Sequence, residues 1–193
     1  MKLVHAVLTI TLVGLAGCGK PTAEEYFTKA QVAVEQARKT VDSLRNTQDL
    51  PRLYQPAIDG FTKVVEEYPT SEQAETAQFM IATIRNNDTH EPQLAIDAYK
   101  KYAELFPEGK QAPLAMFLVG YLYNNELHNL DSAGAAYRRF LEKFPQNEMA
   151  SSAQFELNTL GKSPEELLGT TVADTQPSGA ETAKKPAGKS KKR

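Results

Sequence analysis

The sequence predicts an all-α chain, a right-handed α-solenoid of about three helix pairs plus a closing helix, on three observations. First, thirteen residues recur as AIDGFTKVVEEYP at Ala57 to Pro69, AIDAYKKYAELFP at Ala95 to Pro107 and AGAAYRRFLEKFP at Ala133 to Pro145, with a step of 38 residues both times. The register continues without a gap, so that Ala74, Ala112 and Ala150 correspond, then Ala77, Ala115 and Ala153, then Phe79, Phe117 and Phe155. Second, apolar residues return at threes and fours, the period of one helix face. Third, Pro69, Pro107 and Pro145 close the three copies, and a helix interior would lose a hydrogen bond at each.

In chain order, residues 1–17 place Lys2 ahead of an apolar run from Leu3 to Val13 and end in small residues, the pattern of a signal peptide. The run is shorter than the roughly 18 to 20 apolar residues that cross a bilayer. Leu15-Ala16-Gly17-Cys18 comes next, and Cys18 is the only cysteine, so no internal disulfide forms. These four residues resemble the lipobox of bacterial lipoproteins, which implies cleavage before Cys18 and acylation of it. Two or more acyl chains, at about 0.8 kcal/mol per buried CH₂, anchor a protein stably to a membrane. Gly19 stands where inner-membrane lipoproteins of enteric bacteria typically carry Asp. The resemblance therefore implies the outer membrane, periplasmic side, with residues 18–21 as a short linker.

The repeat domain is expected over 22–168. Tyr26, Ala30, Ala33, Ala37, Val41 and Leu44 make one stripe on a helix of about 23 residues, opened by a capping box of Thr22 and Glu25. Pro51 and Pro56 then predict a loop from Asn46 to Gln55, with Pro56 as the first residue of the next helix, which runs to Tyr68. Further helices are expected near 71–86, 93–106, 110–125, 131–144 and 148–160. Thr70 with Gln73 reads as a capping box, and Gly109 and Asn147 fall at the matching cap positions. Ser163-Pro164-Glu165-Glu166 opens a short terminal helix by the same chemistry. The aromatic pairs Phe61 and Tyr68, Tyr99 and Phe106, and Tyr137 and Phe144 are each seven residues apart and read as packing.

Charge separates the body from the C-terminal segment. Residues 19–169 hold 15 Lys+Arg against 22 Asp+Glu, a net of −7, whereas 170–193 hold 6 against 2, a net of +4. The segment 169–193 lacks large apolar side chains and is expected to be a disordered basic tail. Its Lys184, Lys185, Lys189, Lys191, Lys192 and Arg193 suit either weak solubilising contacts or attraction to anionic lipid and peptidoglycan carboxylates.

Met116 to Tyr123, MFLVGYLY, resembles the first helix of a tetratricopeptide repeat, with Met116 as its large residue, Val119-Gly120 as its Leu-Gly and Tyr123 as its Tyr. Ala133, Tyr137 and Pro145 match the second helix. The period of 38 departs from the family's ~34, and the extra residues are expected in connections such as Asn124 to Leu130. Ala82 and Asn158 replace Gly120 in the other copies, and Arg85 and Gly161 replace Tyr123.

In this family the concave groove is lined by residues of each first helix. The resemblance thus implies a partner-binding groove of Phe117, Tyr121, Asn124 and Asn125, with Phe79, Thr83, Asn86 and Asn87 as equivalents one repeat earlier. The two phenylalanines also fit a packing role, because a ring recurs there in all three copies, and the Asn pairs also fit loop capping.

No catalytic chemistry is visible. His5, His90 and His128 show no metal-ligand spacing, there is no phosphate loop or serine elbow, and Glu66-Glu67 and Glu165-Glu166 read as solvated surface. No cofactor, metal or nucleic acid is expected. A lipid-anchored array with helix ends at YP or FP resembles the tetratricopeptide lipoproteins of the outer-membrane β-barrel assembly machinery, which typically have five repeats. That likeness implies a scaffold binding protein or peptide partners in the cell envelope. A division-associated (Tol-Pal) or pilus-assembly repeat lipoprotein, or an accessory to a cell-wall hydrolase, is the alternative.

Overall fold

Seven α-helices account for most of the described residues, which are 19–44, 49–163 and 165–166 in this computed structural model, and no strand occurs among them. They are α1 (Ala23–Leu44), α2 (Leu50–Glu67), α3 (Glu72–Thr83), α4 (Pro92–Leu105), α5 (Ala112–Asn125), α6 (Leu130–Lys143) and α7 (Ala150–Thr159), with a π-helical turn at Ile84–Asp88. The expected signal peptide, Cys18 and the basic tail lie outside the described residues. The fold is all-α, a helical-repeat architecture. Two compact units divide the chain between Leu118 and Val119.

The 38-residue period is a period of hydrogen bonds as well as of residues. Each second helix ends identically: the N–H of Tyr68, Phe106 and Phe144 donates to the carbonyl four residues back at 3.0, 2.8 and 2.8 Å. All three have left the helical region, with φ between −136° and −128° and ψ between 52° and 63°. Each precedes a proline, whose ring disfavours the helical conformation for the residue before it. The next turn also repeats, with Ser71, Gly109 and Asn147 donating back to Tyr68, Phe106 and Phe144.

The turns from first to second helix are matched as well. Thr89 N–H donates to Ile84 O and Glu91 N–H to Arg85 O at 3.0 and 2.8 Å, and 38 residues later Leu127 donates to Leu122 and Asn129 to Tyr123 at 3.1 and 2.8 Å. His90 and His128 occupy the left-handed region in these turns, at φ 52° and 51°. Both are exposed.

Three local expectations require correction. Helix α2 starts at Leu50, and Pro56 lies inside it rather than at its first position. The stretch Asn46 to Gln55 is therefore not a loop from Leu50 onward. Leu50, Tyr54, Ala57, Ile58 and Phe61 are buried and form one continuous stripe, and burial of that stripe outweighs the single hydrogen bond that proline removes. Pro56 is exposed, and so is Arg52, whose carbonyl loses the bond. The Thr70 and Gln73 box does not form: Ser71 is the N-cap of α3, without a side-chain cap, and Gln73 Nε2 donates instead to Glu24 Oε2 of α1 at 2.7 Å. The extra residues of the period lie partly within a helix, in the π turn after α3.

The other two boxes are present. Thr22 and Glu25 exchange hydrogen bonds of 2.8 and 3.2 Å, and Ser163 and Glu166 exchange bonds of 2.7 and 3.3 Å.

In the first unit, Ala30, Val34 and Ala37 of α1 pack with the α2 stripe into one core, where Phe61 is fully buried. At roughly 1.5–3 kcal/mol for a buried ring of this size, that contact is a principal tie between the helices. In the second unit Tyr137 and Phe140 of α6 and Ala153 of α7 are fully buried. Gly120 lies flat on Tyr137: a Cβ there would meet the ring carbons at 2.7 to 3.0 Å.

Candidate partner-binding surfaces

Four expected groove positions belong to the first unit's α3 and π turn, and the structure separates them by role. Phe79 packs edge-on against Tyr99 and Tyr102 of α4, with ring centroids 5.7 and 5.5 Å apart. Its ring is a helix-pairing contact. Thr83 donates to the Phe79 carbonyl at 3.0 Å. Thr83 and Asn86 also face the Tyr99 hydroxyl; burial pushes that phenol up, and these two neighbours oppose the shift. Asn86 donates to Asn87 Oδ1 at 2.8 Å, which leaves Asn87 as the exposed member of the pair.

Asn87 borders an open cleft of about 380 Å³, whose other walls are Arg38, Val41 and Asp42 of α1, Leu50 and Tyr54 of α2, Asp88 and His90. The π turn makes this possible by adding a residue to the helix end and turning Asp88 toward α1. Arg38 Nε donates to Asp88 Oδ1 at 3.4 Å and its Nη1 to Glu35 Oε1 at 3.4 Å. The Asp88 hydrogen bond raises the Arg38 pKa further, and burial followed by Asp88 raises that of Tyr54. The cleft combines charge of both signs with an apolar wall.

In the second unit, Tyr121 is 42% exposed on α5, and Asn125 Nδ2 donates to its carbonyl at 3.0 Å. Asn124 Nδ2 reaches Glu156 Oε2 of α7 at 3.4 Å. Burial, then Glu156, then Tyr121 push the Tyr137 hydroxyl well above the usual phenol range. The arrangement offers an exposed ring, amides and a carboxylate to an extended partner segment. Phe117 is half-buried in the first unit's part of α5.

Glu156 was not anticipated. Its signal was a break in the period, because the equivalent positions hold the apolar Met80 and Leu118. The cleft residues Arg38, Tyr54 and Asp88 were also missed; they are distant in sequence and meet only through the pairing of α1 with α2 and the π turn.

Among the described residues no group of three or more His, Cys, Asp and Glu is placed to hold a metal ion. No described helix is long and apolar enough to cross a membrane.

Residues 114–147, which cover most of α5, its turn and α6, match the tetratricopeptide repeat family model. Gly120, Tyr123, Ala133, Tyr137 and Pro145 fall within that stretch. No curated protein matches the chain. Repeats of this kind build surfaces for protein partners, and the match points to protein–protein interaction as the coarse role.

Proposed function

We propose that the protein is a lipid-anchored, non-catalytic scaffold that binds protein partners on the periplasmic side of the outer membrane, in outer-membrane protein assembly. The observation that carries the binding half of this reading is the Tyr121, Asn124 and Glu156 surface, which spans the matched repeat and the helix after it. An extended peptide would stack against Tyr121 and exchange backbone hydrogen bonds with Asn124 and Asn125, and its donors or a cationic side chain would face Glu156.

The anchoring half rests on Leu15-Ala16-Gly17-Cys18 and on Gly19 after it. Acylated Cys18 holds the repeats at the membrane, and residues 18–21 give them a short tether. The test is fractionation and pull-down of the full chain with Cys18 or Cys18→Ala. The Ala form is expected to leave the membrane fraction; its recovery in membranes with unchanged partners would rule out the anchor.

A further inference from the structure

Helix α3 grips α4 through two adjacent side chains. Gln78, only 1% exposed, donates from Nε2 to the Ala98 carbonyl at 2.9 Å, and Phe79 lies edge-on to Tyr99 and Tyr102. Ala82, one turn further, is fully buried. Two periods on, the same register positions in α7 are Gln154, Phe155 and Asn158. There the Gln-Phe pair is kept but meets no second helix among the described residues. Phe155 is 62% exposed, Gln154 and Asn158 are exposed, and Gln154 Nε2 turns to Asn158 Oδ1 within its own helix at 2.9 Å. Beside them Ala153 is fully buried, and α7 packs against α6.

A terminal helix that only closes an array presents a polar outer face, and a ring as exposed as Phe155 departs from that. The sequence from 167 to 193 does not repeat the residue pattern of α4. In register with α4, Thr175 and Ser178 stand where Tyr99 and Tyr102 do, with Pro177 between them. The α3–α4 interface itself states what fits: a small residue offering its carbonyl, a ring at the next position and another ring three positions later.

We propose that the Gln154-Phe155 face of α7 docks a helix of a partner protein that carries this Ala98-Tyr99…Tyr102 pattern. Gln154 exchanges its bond to Asn158 for the partner carbonyl, and Phe155 enters between the two partner rings, continuing the pairing interface already used by α3 and α4. The surface is distinct from that of Tyr121 and Asn124, so either can fail while the other stands.

The probe is a labelled peptide of residues 92–106, stapled on its outer face to hold it helical, titrated against the full chain by fluorescence anisotropy. Saturable binding is expected, weakened at least fivefold by Phe155→Ala and by Gln154→Ala, and equally by replacing Tyr99 and Tyr102 with Ala in the peptide. Val32→Ala, which trims another exposed apolar residue, leaves it unchanged. Because Gln154 and Phe155 are exposed, circular dichroism of both variants matches the parent. No saturable binding, or binding indifferent to both protein variants, overturns the proposal. So does a dimer in sedimentation that Phe155→Ala dissociates, since a second copy would then be the occupant.

Discussion

The Tyr102 hydroxyl donates a 2.5 Å hydrogen bond to Glu75 Oε1, joining α4 to α3 at the point where the chain enters α5. The same carboxylate oxygen accepts from Lys110 N–H at 3.0 Å, and Gln111 N–H donates to the Tyr102 hydroxyl at 3.1 Å. Two amides before α5 are thus satisfied by side chains from the two preceding helices. Burial, then the bond to Glu75, pushes the Tyr102 phenol well above its ordinary value, so it stays protonated as the donor.

Gly109 sits against this cluster, where a Cβ would meet Tyr102 Oη at 2.6 Å and Glu75 Oε1 at 2.8 Å. Gly109→Ala is expected to cost about 1–3 kcal/mol, the range for forced overpacking. Tyr102→Phe should cost about 1–3 kcal/mol by leaving its partners short of a hydrogen bond. Because Tyr102→Phe removes the hydroxyl that the added methyl would meet, the double variant should cost less than the sum of the singles, which urea unfolding followed by circular dichroism measures.

Gly120 is equally close-packed, and its neighbour is the fully buried ring of Tyr137. Gly120→Ala is expected to lose about 1–3 kcal/mol. Ala82→Gly at the equivalent position should also destabilise, by about 1–2 kcal/mol, since there it weakens the helix and removes a buried methyl. Thermal melts of the two variants give the comparison.

His90 and His128 hold left-handed backbone that an L side chain adopts at a cost. Replacing either with Gly is expected to stabilise the protein by about 0.5–1 kcal/mol, the backbone strain being partly offset by the freedom Gly gains when unfolded. Val at either position should do the opposite, and chemical denaturation reads both.

Glu91 makes the α3–α4 turn sensitive to acid. Burial alone would raise its pKa, but hydrogen bonds from Thr89 and Arg85 outweigh it and hold the carboxyl below the ordinary 4.5. A depressed folded-state pKa means the protein binds more protons when unfolded. The contribution is therefore present above the ordinary value and lost as pH falls through the depressed one. Glu91→Gln should flatten the pH dependence of the melting temperature in that acid window relative to the parent.

The sequence made the period legible because each copy uses the same residues for the same bonds, from Ala57 to the stop at Tyr68 and Pro69. The stripe beginning at Leu50 was equally periodic, but two prolines obscured it, and burial of Tyr54 and Phe61 prevailed over the proline rule. Caps were legible where the side chain had no better partner, as at Thr22 and Ser163; at Gln73 the carboxamide found Glu24 on another helix. The groove positions shared one signature in sequence, yet Phe79 became a pairing ring while Tyr121 stayed exposed. Glu156, which sets the candidate surface apart, shows only as a departure from Met80 and Leu118, and its meaning depends on Asn124 being beside it.

Whether the end of α5 and Glu156 of α7 present a protein-binding surface is decided most directly by in-cell crosslinking of the full chain, comparing the parent with a Tyr121→Ala, Asn124→Ala double variant. At least a tenfold loss of the crosslinked partner set is expected, with helix content unchanged. Partners retained at full yield, or lost only in proportion to lost helicity, would contradict a binding role for this surface.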